Sequence, residues 1–344
     1  MEQTALFSFR LQMPAGQTAL RSGSSLAIPA AAEAAVPDAS VPEATDSRTE
    51  AVSDPEPVSE GIVWSRIEIP EAAPAPGEKG DGGKIREMKM SPGRQNVEGV
   101  SFTNRSARTN LDIAGLLQQE IALQDTGEEP LVLLMHTHTT ESYMAYDAGY
   151  YNKSDPSRTQ DEGKNVTAIG EIVATRLRDA GIPVLHDVTV HDYPQYSNAY
   201  SRSLTTVKKI LQQHPSIQIV IDLHRDGIMA DETTKVKPTV VIDGKKTAQV
   251  MLLVGLSDTA SVPNPGWKNN LTIAARLQQY ADASGDGLMR PMILRDGRFN
   301  QHTAPYCFLV EMGSDSNTLP EAMRAADLFG RRLALFLKEE TVFS

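Results

Sequence analysis

The sequence predicts an α/β domain: a mostly parallel central sheet flanked by helices, preceded by a disordered Pro/Ala/Glu-rich segment. Three observations predict it. Apolar runs of strand length alternate with amphipathic helical segments from residue 94 onward. Several of those runs are apolar at every position, which is the pattern of strands buried on both faces. Residues 1–93, by contrast, are poor in aromatic residues, and from residue 26 to about 80 are rich in Ala, Pro, Glu and Ser. Such a stretch buries too little apolar surface to offset its ordering entropy.

Two regions follow: a linker or tether over 1–93 and a single domain over 94–344. Within the first, Gly61-Ile62-Val63-Trp64 is a local apolar run, read as a docking patch. Gly80, Gly82 and Gly83 with Lys84 lack a preceding strand and a following Ser or Thr, so they read as a flexible spacer rather than a phosphate loop. In the second, Leu111 to Leu123 has helical spacing. Leu131 to Met135 is the first buried strand. Val166 to Leu177 is a helix with Ile169, Ile172, Val173 and Leu177 on one face, and Gly181 sits where a C-cap glycine belongs. Pro183 to Val188 is the second strand, Tyr200 to Leu211 a helix, and Ile217 to Leu223 the third strand. Thr239–Ile242 and Gln249–Gly255 read as a hairpin across Asp243-Gly244. A helix over Leu271–Ala281, strands at Met292–Leu294 and Cys307–Val310, and a closing helix over Leu319–Leu337 complete the domain.

Composition excludes several classes. One cysteine, Cys307, leaves no intramolecular disulfide and no Cys-rich zinc finger. A formal net charge of −11 argues against a nucleic-acid binder. No apolar run approaches the roughly 18 residues that span a bilayer. Met1 to Ala19 carries Arg10 inside its apolar stretch and does not read as a signal peptide.

Function in an open α/β sheet gathers at the carboxyl ends of its strands. Three such ends carry related chemistry: Met135-His136-Thr137-His138-Thr139-Thr140-Glu141, Asp222-Leu223-His224-Arg225-Asp226, and Val310-Glu311-Met312-Gly313. If these ends meet at one edge, imidazoles and carboxylates converge. Three N/O ligands with one open position make a catalytic zinc site, and a further carboxylate can take the proton of a bound water. His136 and His138, two residues apart on a strand, are expected to share a face. Glu311 directly follows an apolar strand, where a buried carboxylate needs a partner charge or a metal. Asp222 and Arg225 equally suit a local ion pair. His186, His191, His214 and His302 are scattered and are not assigned to the site.

The string Leu134-Met135-His136-Thr137-His138-Thr139-Thr140-Glu141-Ser142-Tyr143 resembles the stage II sporulation protein P family. So do Tyr200-Ser201-Arg202-Ser203, Asp222 to Asp226, Asn269-Asn270-Leu271 after Trp267, Phe299-Asn300-Gln301, and Leu309 to Ser314 with Asn317. The resemblance implies a zinc-dependent peptidoglycan hydrolase related to N-acetylmuramoyl-L-alanine amidases. It implies cleavage of the amide between the lactyl group of muramic acid and L-alanine, and a second, endopeptidase activity on the stem peptide. Carried over by resemblance, Glu311 is the catalytic carboxylate, His224 a zinc ligand, and His136 or His138 the strand-one ligand, with His136 taken for the set His136, Glu141 and His224. Glu162 is the alternative to Glu141. His138, Arg225 and Asn300 would orient substrate or support the ligands. The same resemblance implies the sporulation D and M proteins as partners, a place on the extracytoplasmic face of the forespore septum, and a membrane-spanning helix that this sequence does not display. Residues 1–93 would then be the tether. The rival readings are a zinc peptidase acting on free peptides and a non-catalytic wall-binding scaffold of the same fold.

Overall fold

Burial on both faces is what the apolar strands achieve in the structure, a computed structural model that describes residues 9–10 and 61–342 apart from 78, 79, 92, 94 and 260. Strand β1 (Gly83–Met88) belongs to a smaller sheet. The central sheet contains β2 (Gln95–Val97), β3 (Val100–Arg105), β4 (Val132–Met135), β5 (Val184–His186) and β6 (Ile219–Asp226). Then β7 (Thr234–Ile242) and β8 (Lys245–Ala248) join β1 in the smaller sheet, and β9 (Val250–Gly255), β10 (Met292–Arg295) and β11 (Tyr306–Ser314) return to the central one. The order across the central sheet is β2-β3-β10-β9-β11-β6-β4-β5. Only the β2/β3 and β9/β11 pairings are antiparallel. The helices are α1 (Ile113–Leu117), α2 (Val166–Asp179), α3 (Ala199–Gln213), α4 (Trp267–Asp282) and α5 (Leu319–Glu340).

Side-chain alternation sorts the strand residues onto two faces. Val132, Leu134, Ile221, Leu223, Phe308 and Val310 enter the core shared with α2, α4 and α5. Leu133, Met135, Val220 and Cys307 meet Val207 and Ile210 of α3 on the other face. Each fully buried Leu, Ile or Phe stabilises the fold by roughly 1.5–3 kcal/mol, so both faces must stay apolar. Helix α2 begins where Asn165 caps it by accepting from Thr167 N at 2.9 Å, and ends before Gly181, whose φ of 77° is the left-handed value a C-cap glycine supplies.

Four expectations change. The hairpin turn at Asp243-Gly244 forms, with both residues at positive φ, but the strand returning from it is β8, which pairs with β7. The run Val250–Gly255 instead crosses to the central sheet beside β11, because it is apolar at every position and is buried on both faces there. The helical spacing of 111–123 yields one turn, Ile113–Leu117, capped by Asp112. The glycine spacer leads into β1, which runs parallel to β7. Finally, residues 61–93 carry more than a tether. Ile62, Trp64 and Ile67 pack on the main core, Trp64 lies beneath Arg176 and Arg331, and Ser65 donates to Asp179 at 2.5 and 2.8 Å. The globular unit therefore begins ahead of residue 94, and the rest of the expected tether lies outside the described residues except 9–10.

Candidate functional site

Strands β6 and β11 run longer than their apolar cores predict, to Asp226 and Ser314. This brings His224 and Glu311 inside strands. They are direct partners in the parallel ladder, Glu311 opposite His224. By alternation both lie on the α3 face, with Val220 and Cys307 below them. Beyond Glu311 the register shifts before Ser314, and Gly313 sits at φ 70°. A Cβ there would lie 2.8 Å from Asn317 Oδ1 and 2.9 Å from the Ala248 side chain, so the turn away from the sheet requires glycine.

The first strand end behaves differently from expectation. The β4/β6 ladder stops at Met135↔Asp222, and residues 137–140 form a turn. Thr137 bends toward Asp222, which accepts from Thr137 N at 2.8 Å and Thr137 Oγ1 at 2.7 Å. His136 keeps the parity of Leu134 and so lies on the α2 face. Its Nδ1 is 2.8 Å from Leu223 O and its Nε2 is 2.9 Å from His186 Nε2. His138, within the turn, comes to the α3 face. Its ring is edge-on to His224 at 5.3 Å and stacked on Tyr196 at 4.6 Å, 9° from parallel. The two histidines do not share a face, because the strand ends at Met135 and the chain turns from Thr137 onward.

Glu141 follows that turn and is buried. Its Oε2 is 3.5 Å from His224 Nδ1 and accepts from Arg225 N at 3.1 Å, while Oε1 faces Arg158 Nη2 at 3.4 Å. Burial pushes its pKa up, but Arg225 and His224 outweigh this and hold the carboxyl well below the usual range. Burial would lower His224, yet Asp222 and Glu141 raise it well above the ordinary histidine value. His224 Nε2 stands 2.8 Å from Asp222 Oδ1, off the direction of a hydrogen bond. Burial lowers His138 to about 4, and its Nδ1 is buried without a partner. Glu311 is 6% exposed, its Oε2 has no partner, and burial together with Asp226 raises it to about 8.

The remaining expected residues serve the framework. Arg225 donates to Ser142 O at 3.1 Å and Ser157 O at 2.7 Å, tying two loops to β6. It does not pair with Asp222. Asn300 donates to Tyr200 O at 2.8 Å and Ser203 Oγ at 3.1 Å, seating the first turn of α3. Glu162 is exposed, on the α2 side, in a cleft lined also by Glu171 and His186. Sequence reasoning missed Arg290, Tyr196 and the Arg158–Asp192 pair that braces the turn of Thr140 and His138. No local pattern marks them, since their partners are distant in the chain.

Arg290 and Asp226 form a buried pair at 3.0 Å, with side chains 3% and 5% exposed, beside Glu311. Arg290→Leu leaves Asp226 charged and uncompensated. We expect a loss of about 3–5 kcal/mol, read from the urea midpoint; an unchanged midpoint would show the pair to be dispensable.

The raised pKa of Glu311 also has a sign. Between the ordinary value of 4.5 and about 8, the folded protein holds a proton that the unfolded chain has released. This stabilisation is complete below 4.5 and is lost as pH rises through 8. The metal-free protein should therefore lose stability relative to E311Q as pH rises from 4.5 to 8. A pH-independent difference between the two urea midpoints would contradict the assignment.

The model of the stage II sporulation protein P family matches residues 67–334, most of the chain. The chain belongs to the stage II sporulation protein P family. The family's protein from Bacillus subtilis (strain 168) is 28% identical over 221 residues, 61% of this chain and 52% of that protein. This family member thus spans about half the length of the curated relative it matches. Among solved structures it is similar to the N-acetylmuramoyl-L-alanine amidase AmiC2 of Nostoc punctiforme, at 11% identity and a TM-score of 0.36, over 64% of this chain and 99% of that one. It is also similar to the amidase Ami1 of Mycobacterium abscessus in its apo form, at 14% identity and a TM-score of 0.35, over 61% and 98%. Among its described residues, no helix is long and apolar enough to cross a membrane.

Proposed function

We propose that this family member is a zinc-dependent peptidoglycan hydrolase of sporulation, cleaving the N-acetylmuramoyl-L-alanine amide and, secondarily, stem-peptide bonds. The observation that carries the reading is Glu311, buried with a free Oε2, in ladder register beside His224, whose ring in turn meets Glu141 and His138. Among the described residues no three side chains of metal-binding type already surround one point. The fit to zinc rests on donor chemistry. His138, Glu141 and His224 offer two imidazoles and one carboxylate, with Glu141 Oε2 3.5 Å from His224 Nδ1 and the His138 and His224 ring centres 5.3 Å apart. His138 replaces His136 in this set, because both ring nitrogens of His136 are engaged on the opposite face.

When bound, zinc brings a water toward a neutral pKa and polarises the scissile carbonyl. The chain's own groups do the rest. Glu311 Oε2 takes the water's proton and returns it to the leaving amine. Its raised pKa suits a group that must hold a proton between those two transfers. Glu141, kept ionised by Arg225, stays available as a ligand oxygen. Asp222 and the Arg158–Asp192 pair hold the His224 and His138 rings from behind. The same proposal takes peptidoglycan as substrate, the sporulation D and M proteins as partners, the extracytoplasmic face of the septum as the place, and the segment before residue 61 as the tether.

The test is mass spectrometry of purified peptidoglycan after digestion, alongside metal analysis. Soluble stem peptides beginning with L-alanine are expected, with one zinc per chain. Cleavage of free stem peptide but not of wall would favour the peptidase reading. No zinc and no products would favour the scaffold.

A further inference from the structure

His136, His186 and Glu171 lie outside the machinery just described, yet they form a continuous hydrogen-bonded row. Leu223 O is an acceptor only, so His136 Nδ1, 2.8 Å away, carries a hydrogen. His136 is fully buried, and its Nε2 faces His186 Nε2 at 2.9 Å. Two ring nitrogens that close share one hydrogen between them. At the far side His186 Nδ1 is 3.0 Å from Glu171 Oε2, at a carboxylate 55% exposed. The row runs from the surface to the backbone of β6.

Two further observations show that the row is built rather than incidental. Gly170, in the interior of α2, has no Cβ exactly where the rings press on the helix. A Cβ there would lie 2.6 Å from His186 Nε2 and 2.8 Å from His136 Nε2. An interior helical glycine costs about 1 kcal/mol against alanine, so the position is held by the close approach. The row also ends where backbone pairing stops. The β4/β6 ladder closes at Met135↔Asp222, and Leu223 O, one residue before His224, is taken by the His136 ring. Backbone O of His136 in turn accepts from Thr139 Oγ1 at 3.0 Å and His191 Nδ1 at 2.8 Å, fixing the turn that carries His138.

We infer that Glu171, His186 and His136 are positioning residues that set the distance between the His138-bearing turn and the His224-bearing strand end. The inference rests on the zinc reading above. They act from the opposite face of the sheet, so they meet neither metal nor substrate. Loss of such support around a metal site typically costs about 10–100-fold in metal affinity or activity.

The experiment measures zinc affinity of the full chain by chelator competition, thermal midpoint, and the imidazole N–H signals of the metal-free protein by 15N-selective NMR. Wild type should show a slowly exchanging His136 Nδ1–H. H186A, which leaves His136 Nε2 without a partner, should bind zinc about 10–100-fold more weakly. H186Q keeps a side-chain N–H and should recover most of that loss. E171A, at the exposed end, should weaken zinc several-fold at an unchanged thermal midpoint. Wild-type zinc affinity in folded H186A, or in E171A should H186A not fold, overturns the inference. So does a loss in H186A that H186Q fails to recover. If wild type shows the His136 N–H but binds no zinc, the zinc reading fails and the positioning role falls with it, while the row itself stands.

Discussion

Replacing Glu311 by Gln abolishes release of stem peptides from purified peptidoglycan while zinc remains bound at wild-type stoichiometry. Gln keeps the size of the side chain but cannot take the proton of a water. Loss of a positioned general base and acid alone costs about 10²–10⁴-fold in rate. The fold should tolerate the change. Glu311 is pressed by burial and by Asp226 toward its neutral form, and an amide carries no charge to repel that neighbour. The measurement is product release per zinc-loaded enzyme. Wall digestion by E311Q at the wild-type rate would remove Glu311 from the chemistry, and loss of zinc would make it a ligand instead.

His138→Ala is expected to lose both zinc and turnover, by more than the 10–100-fold that a missing supporting group costs. His136→Asn should retain stoichiometric zinc, more weakly held. The contrast follows from alternation. Leu134 and His136 share the α2 face with the main core, whereas Glu311 and His224 stand above Cys307 and Val220 on the α3 face. The turn at 137–140 carries the chain toward that face, and His138, within it, is the imidazole whose ring meets His224. The reverse outcome, zinc lost in H136N and kept in H138A, would return the ligand role to His136. Both variants should be compared by metal content and thermal midpoint, because His136 also holds Leu223 O.

Much of the fold was legible because its signals are local. Continuous apolar runs at Leu131–Met135 and Ile217–Leu223 mark strands buried on both faces, and Gly181 closes α2. The hairpin was half legible. Asp243-Gly244 specifies the turn, but which strand returns depends on a partner, β11, more than fifty residues further on. Gly83–Met88 lacked any strand pattern because it is mostly exposed, and its ladder comes from β7 and, at Gly83 and Lys84, from Tyr151 and Tyr150.

By itself the sequence determined the α/β class and the three chemically loaded strand ends, from which Glu141, His224 and Glu311 come as candidates. Local composition and spacing suffice for that, since each strand end carries its own residues. Only the tertiary structure decided that the His138 ring rather than His136 faces His224, that Arg225 joins Glu141 and the loops at Ser142 and Ser157 to β6, that Asn300 bonds the first turn of α3, and that Arg290, Tyr196 and His186 belong to the surroundings. Those are matters of where a strand stops and which face a side chain takes. A one-residue difference in strand end reverses the face, and the end of β4 is set by Asp222 capturing Thr137 from across the sheet.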